Sequence, residues 1–168
     1  MIYRMKTKLG YAFAGILLTA CSNHQVPQPP VQEFDSISLQ RSACYGHCPV
    51  YKVEIIANGQ VRYSGEEYVS VKGVRQSIIP QQDIEIISAA LRHVKFVQLK
   101  GQYSFREDGC VDMPTDMASF EISVKKAGNT KAVIVYEGCS GPTVPAEDLQ
   151  WLSDTIDAMA RTRSLIYK

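Results

Sequence analysis

The chain predicts an α+β fold, an antiparallel sheet of about five to six strands with two helices on one face, in the order β-β-β-β-α-β-β-α. Three observations carry this expectation. Apolar residues alternate with polar ones across Ile37–Gln40, Tyr51–Ile55, Val61–Tyr63 and Ala118–Val124, the period of a sheet with one buried face. Two stretches switch to the three-four-three spacing of a helix, Ile84, Ile87, Leu91 and Val94, then Leu149, Leu152, Ile156 and Met159; such a stripe needs a partner surface. Each helical stretch follows a hairpin-like pair, so both helices can lie against the same sheet.

The N-terminus reads as an address. Arg4, Lys6 and Lys8 precede an apolar run from Leu9 to Leu18, too short for the roughly 20 residues that span a bilayer but of signal-peptide length. Leu18-Thr19-Ala20-Cys21 resembles the lipobox of bacterial lipoproteins, which implies cleavage of residues 1–20 and lipidation (palmitate among the acyl chains) of Cys21. Either Met1 or Met5 makes a normal start. Ser22 after the lipidated cysteine implies, by the same resemblance, the outer membrane, with the domain facing the periplasm. Residues 21–35 are rich in proline and glutamine and read as a tether, up to roughly 45 Å long when extended. His24 within it is expected to be solvated. The remaining 36–168 form one globular domain. Without Arg4, Lys6 and Lys8, the 18 basic residues fall to 15 against 17 acidic ones; with no basic stripe, nucleic acid is not an expected partner.

Within the domain, Ile37–Gln40 forms the first strand, and Tyr51, Val53 and Ile55 share the inner face of the second. Asn58-Gly59 is a hairpin signal because both residues tolerate positive φ. Val61 and Tyr63 continue a third strand, which Gly65 is expected to break. Tyr68–Val71 and Val74–Ile78 read as extended pieces interrupted at Gly73. Pro80 fits the first turn of a helix, and His93 lies opposite the apolar stripe. Gln102–Thr115 is a long polar loop. A turn near Gly128-Asn129 joins the Ala118–Val124 strand to a partner carrying Ala132, Ile134 and Tyr136. Gly138, Gly141, Pro142 and Pro145 lead into the last helix. Ile79-Pro80-Gln81-Gln82-Asp83-Ile84 and Val144-Pro145-Ala146-Glu147-Asp148-Leu149 match in pattern, which two common helix starts explain without a duplication.

Cysteine usage points to an oxidising compartment. Beyond Cys21, four cysteines remain, and four allow three pairings. The expected pairs are Cys44–Cys48, across a turn at Gly46, and Cys110–Cys139, which bracket the second hairpin. Cys44, His47 and Cys48 also offer three soft or borderline metal ligands, the competing reading. Structural zinc sites use two knuckles and this chain has one; the order of c-type haem attachment is wrong; and the spacing is not that of a thioredoxin-like site. No metal or cofactor is therefore expected.

Catalytic patterns are weak. Gly138-Cys139-Ser140-Gly141 faintly resembles a nucleophile elbow, but Pro142 occupies its fifth position, no helix opens there and no base is placed. Glu107 to Asp116 gathers four carboxylates without the alternation of an EF-hand. His47, Tyr51, Asp112 and Asp116 are the candidate ligand-binding residues. The tyrosines at strand spacing are better read as half-buried sheet residues.

Arg41-x-x-Cys44-Tyr45-Gly46-x-Cys48-Pro49-x-Tyr51, then Gly59, Tyr63-x-Gly65, Asp112-x-Pro114-Thr115 and Tyr136-x-Gly138-Cys139 resemble a bacterial domain family, DUF6438, described as a domain of unknown function and often found behind a lipoprotein signal. The resemblance covers about residues 36–163 and implies an anchored domain without implying a mechanism. The expected function is a non-enzymatic binding or interaction domain on the envelope. Its expected partners are the membrane, through the lipid, and an envelope protein or cell-wall component. A metal- or thiol-dependent site at Cys44, His47 and Cys48 is the alternative.

Overall fold

Strand β1 (Ser36–Arg41) lies at the centre of the sheet because its inner residues, Ile37 and Leu39, are fully buried and it pairs on both edges. The computed structural model describes residues 32–167; the expected signal peptide, Cys21, His24 and most of the tether lie outside them. After β1 come β2 (Val50–Ile56), β3 (Gln60–Glu67), β4 (Gly73–Ile78), α1 (Gln81–His93), β5 (Gln102–Tyr103), β6 (Ser119–Lys126), β7 (Asn129–Tyr136), α2 (Ala146–Ala160) and α3 (Arg163–Ile166). The sheet order is β4-β3-β2-β1-β6-β7-β5, antiparallel except for the parallel β5–β7 pair. The class is the expected one; the seventh strand is the two-residue β5, too short to leave a period-2 signal.

Both long helices cover one face. Ile84, Ile87 and Leu91 of α1 and Leu149, Leu152 and Ile156 of α2 join Val53, Ile55, Phe120, Ile122 and Val133 in one core. Each such side chain stabilises the fold by roughly 1.5–3 kcal/mol relative to exposure. Tyr51, Tyr63 and Ile166 form a smaller cluster at one end, roofed by the C-terminal segment: the Ser70 and Val71 amides donate to the Ile166 and Leu165 carbonyls at 3.0 and 2.9 Å.

Several local expectations are corrected. The β2–β3 turn uses positive φ at Gly59 but not at Asn58. The Gly59 amide donates to Ile56 O at 2.8 Å, and Asn58 Oδ1 accepts from the Gln60 amide at 3.1 Å, the pattern of a three-residue loop closed by a left-handed glycine. Gly65 does not end β3; it pairs with Tyr51 and Gly73, and a Cβ there would meet the Val71 carbonyl and the Tyr63 ring. Tyr68–Val71 is not a strand, Gly73 opens β4 rather than interrupting it, and Pro80 is the N-cap of α1. On β7 the inner residues are Val133 and Val135, while Ile134 faces outward at 38% exposure. The cause is register: the tight Ala127-Gly128 turn, both at positive φ, pairs Lys126 with Asn129, so even-numbered Ile122 faces odd-numbered Val133. Packing also begins before the expected domain edge, since Phe34 is fully buried and Glu33 bridges Arg92 and Lys126 at 3.2 and 3.3 Å.

Candidate functional site

The β1–β2 connection is closed by Cys44–Cys48, with Cα atoms 5.6 Å apart. It is held to the start of β6 and the loop before it: the Ser42 amide and hydroxyl donate to Ser119 O at 2.9 and 3.0 Å, the Ser119 amide donates to Ser42 Oγ at 3.1 Å, and the Tyr45 amide donates to Asp116 O at 3.2 Å. The second disulfide, Cys110–Cys139, is buried, with Cα atoms 5.0 Å apart, and fastens the loop before β6 to the one after β7. There the Val111 amide donates to Ser140 O at 2.7 Å and the Ser140 amide to Asp112 O at 3.1 Å. Each of the four cysteines among the described residues is bonded to its partner, so none of these four offers a thiolate to a metal, and among the described residues no group of three or more His, Cys, Asp or Glu is arranged to hold one.

The four candidate residues do not converge. His47 is exposed and packs edge-on against Tyr68, ring centroids 4.8 Å apart. Asp112 and Asp116 are exposed; their backbone carbonyls accept from Ser140 and Tyr45, and among the described residues the Asp116 carboxylate accepts only from the neighbouring Thr115 hydroxyl, at 3.2 Å. Tyr51 alone belongs to a charged centre, which the sequence reading missed.

That centre is built on Arg41. Period 2 along β1 puts Arg41 on the same face as Ile37 and Leu39, so its guanidinium enters the layer between sheet and helices. Only 15% of its side chain is exposed, and it needs compensation there. Nε and Nη2 both donate to Asp157 Oδ2, at 3.0 and 2.9 Å. Nη1 donates to Glu137 at 3.2 Å, and Nη2 reaches Asp154 and Ser153 Oγ, each at 3.2 Å. The Phe120 ring lies under the guanidinium, 5.6 Å from centroid to Cζ. Nε also donates to Tyr51 Oη at 3.0 Å, and that hydroxyl donates to Asp157 Oδ2 at 2.7 Å. Thr162, itself buried, donates to the other Asp157 oxygen at 2.8 Å.

The electrostatics follow from burial and pairing. Burial by itself would depress the Arg41 guanidinium, but Asp157 holds it above its ordinary range. Burial raises Tyr51 well beyond a normal phenol, and the Asp157 charge raises it further against the opposing pull of Arg41. Tyr63, stacked on Tyr51 with centroids 5.7 Å apart, is raised by burial first and by Asp157 second. Both phenols therefore stay neutral at physiological pH, and Tyr51 serves as a donor to Asp157. The signal in the sequence was Arg41 itself, an arginine in phase with a buried strand face, together with Asp154 and Asp157 three residues apart beside the Leu152–Ile156 stripe.

The cluster forms the wall of an open groove of about 620 Å³, bounded by Cys48 and Pro49 on one side and by Ala158, Arg161, Arg163 and Tyr167 on the other. Chemically, this arrangement is a fixed array of charges beside a cleft. No nucleophile–base pair is assembled in it. Residues 35–160 match the family described as a domain of unknown function (DUF6438). No curated protein matches the chain.

Proposed function

The chain belongs to the DUF6438 family, and we propose that it is a lipid-anchored envelope protein whose domain binds a partner through the Arg41 groove, without turnover. One observation carries the reading. The chain enters the sheet at the Ser36 end of β1, beside Ile56 and Lys125, whereas the groove opens at the Arg41 end, beside Tyr51 and Phe120. The two ends are about 17 Å apart along an extended strand. A lipid on Cys21 attaches the domain through the end of the sheet remote from the groove, which leaves the groove open to the periplasm. Two disulfides and a buried ion network at the groove end keep that surface rigid, which lowers the ordering cost of binding.

The alternative, thiol chemistry at Cys44 and Cys48, has one observation in its favour: this disulfide sits at the groove rim and Cys48 lines it. Binding by a preformed charged cleft accounts for more of the residues gathered there.

Two experiments test the proposal in cells. Cys21→Ser should release the protein from the membrane fraction; retention in that fraction overturns the anchor. A photo-crosslinking amino acid at exposed Ala158, in the groove, should trap an envelope component that the same group at Val97, exposed at the tether end, does not. Equal patterns from the two positions overturn the groove as the binding surface.

A further inference from the structure

The groove carries segregated charge. At one end Glu137, Asp154 and Asp157 face the single guanidinium of Arg41, leaving an excess of negative charge. At the other end stand Arg161, which donates to Asp83 at 2.9 Å, and Arg163, which is exposed and makes no side-chain hydrogen bond or ion pair among the described residues. A second hollow of about 490 Å³, walled by Trp151, Gln150 and Val135, adjoins the acidic end, and Glu137 and Asp154 line both. The cleft thus runs along α2 from an aromatic patch, past an acidic step, to a basic terminus.

The charged residues lining the larger cleft balance, three arginines against two aspartates and a glutamate, so a ligand of large net charge gains nothing overall. A ligand with one charge would leave one end unmatched. What fits is a neutral molecule with a cation and an anion held apart. Asp154 and Arg161 are seven residues apart on α2 and its C-cap, about 10 Å at 1.5 Å per residue. An extended tripeptide separates its ammonium and carboxylate by about the same distance. Resting on the reading of this groove as the binding surface, we infer that its ligand is a short peptide held by its two termini. The ammonium sits against Glu137 and Asp154, and the carboxylate against Arg161 at the C-cap of α2 and Arg163 two residues beyond it. Charge-assisted hydrogen bonds at both ends supply the recognition, and the side chains between are read loosely.

The chain's single tryptophan, Trp151, is half-exposed beside the acidic step and reports occupancy through its fluorescence. The full chain is titrated with trialanine, N-acetyl-trialanine and trialanine amide, with calorimetry in parallel. Trialanine should saturate with a Kd of about 1 mM or below, and each blocked peptide should bind at least about tenfold more weakly. Asp154→Asn should abolish the penalty for acetylation and leave that for amidation; Arg163→Gln should do the reverse. A misfolded variant cannot produce that crossed pattern. Equal binding of the three peptides, or none by any, overturns the inference. If crosslinking from Ala158 persists when no peptide binds, the ligand class alone is wrong; if that also fails, the groove reading falls with it.

Discussion

The Tyr51 hydroxyl donates a 2.7 Å hydrogen bond to Asp157 Oδ2, joining the start of β2 to the last turn of α2. The same oxygen accepts from Arg41 Nε and Nη2, so one carboxylate ties both neighbours to the helix. Breaking it should cost more than removing the network entire. Asp157→Ala leaves a guanidinium that is 15% exposed short of its main partner and should destabilise by about 3 kcal/mol. Arg41→Met combined with Asp157→Leu should recover part of that loss, because the guanidinium and its most buried carboxylate leave together and only the more exposed Glu137 and Asp154 lose a partner. Urea unfolding of Arg41→Met, Asp157→Leu and the double variant closes the cycle. Additive losses in the double would show that the pair is not coupled.

Burial of two tyrosines, with the same carboxylate beside them, sets an alkaline limit. Tyr51 and Tyr63 have folded pKa values raised above the ordinary phenol value of 10.0. A raised folded pKa means the native state holds a proton that the unfolded chain gives up. That contribution is complete below about pH 10 and is lost as pH rises above it. The tyrosinate absorbance of these two should therefore rise in a late stage, only as the fold opens. Tyr51→Phe should remove one phenol from the late stage. A single stage, complete while circular dichroism is still native, would refute this.

Much of the fold was legible because most local signals agree. Period-2 alternation located β1, β2, β3 and β6, and the three-four-three stripes placed both helices on one face. The inner face of β7 was misread because Ile134 and Tyr136 looked as apolar as Val133 and Val135, and only the length of the turn at Ala127-Gly128 decides between them. The Arg41 centre escaped for a different reason. Its members lie on β1, on β2, just after β7 and on α2, more than 100 residues apart in places, and no spacing rule relates them. A close approach of that kind is a product of topology.

Tyr63 illustrates a polar group with little to lose. Its hydroxyl is buried and has no hydrogen-bond partner among the described residues, while its ring stacks on Tyr51 and packs beneath Ile166. Phenylalanine would keep the ring and remove the unsatisfied group. Tyr63→Phe should thus be neutral or stabilising by up to about 1 kcal/mol in thermal or urea unfolding. A loss of similar size would mean that the hydroxyl is satisfied in solution.

The two disulfides should differ in what they stabilise. Cys110–Cys139 closes a separation of 29 residues and Cys44–Cys48 one of four. Loop closure alone then gives about 3–4 kcal/mol for the first and about 2 kcal/mol for the second. Burial widens the gap, because Cys110 and Cys139 belong to the main core and serine would bring hydroxyls into it. Cys44 and Cys48 are only partly buried, and their loop has few other contacts. Paired serine substitution at 110 and 139 should therefore lower the melting temperature far more than the same change at 44 and 48. The 44/48 pair has a separate signature: its loss should loosen one wall of the groove and weaken crosslinking from Ala158 while the global melt moves less than for the 110/139 pair. If that pair instead proves the more costly to stability, the corner is a folding staple, and its place on the groove rim has no bearing on binding.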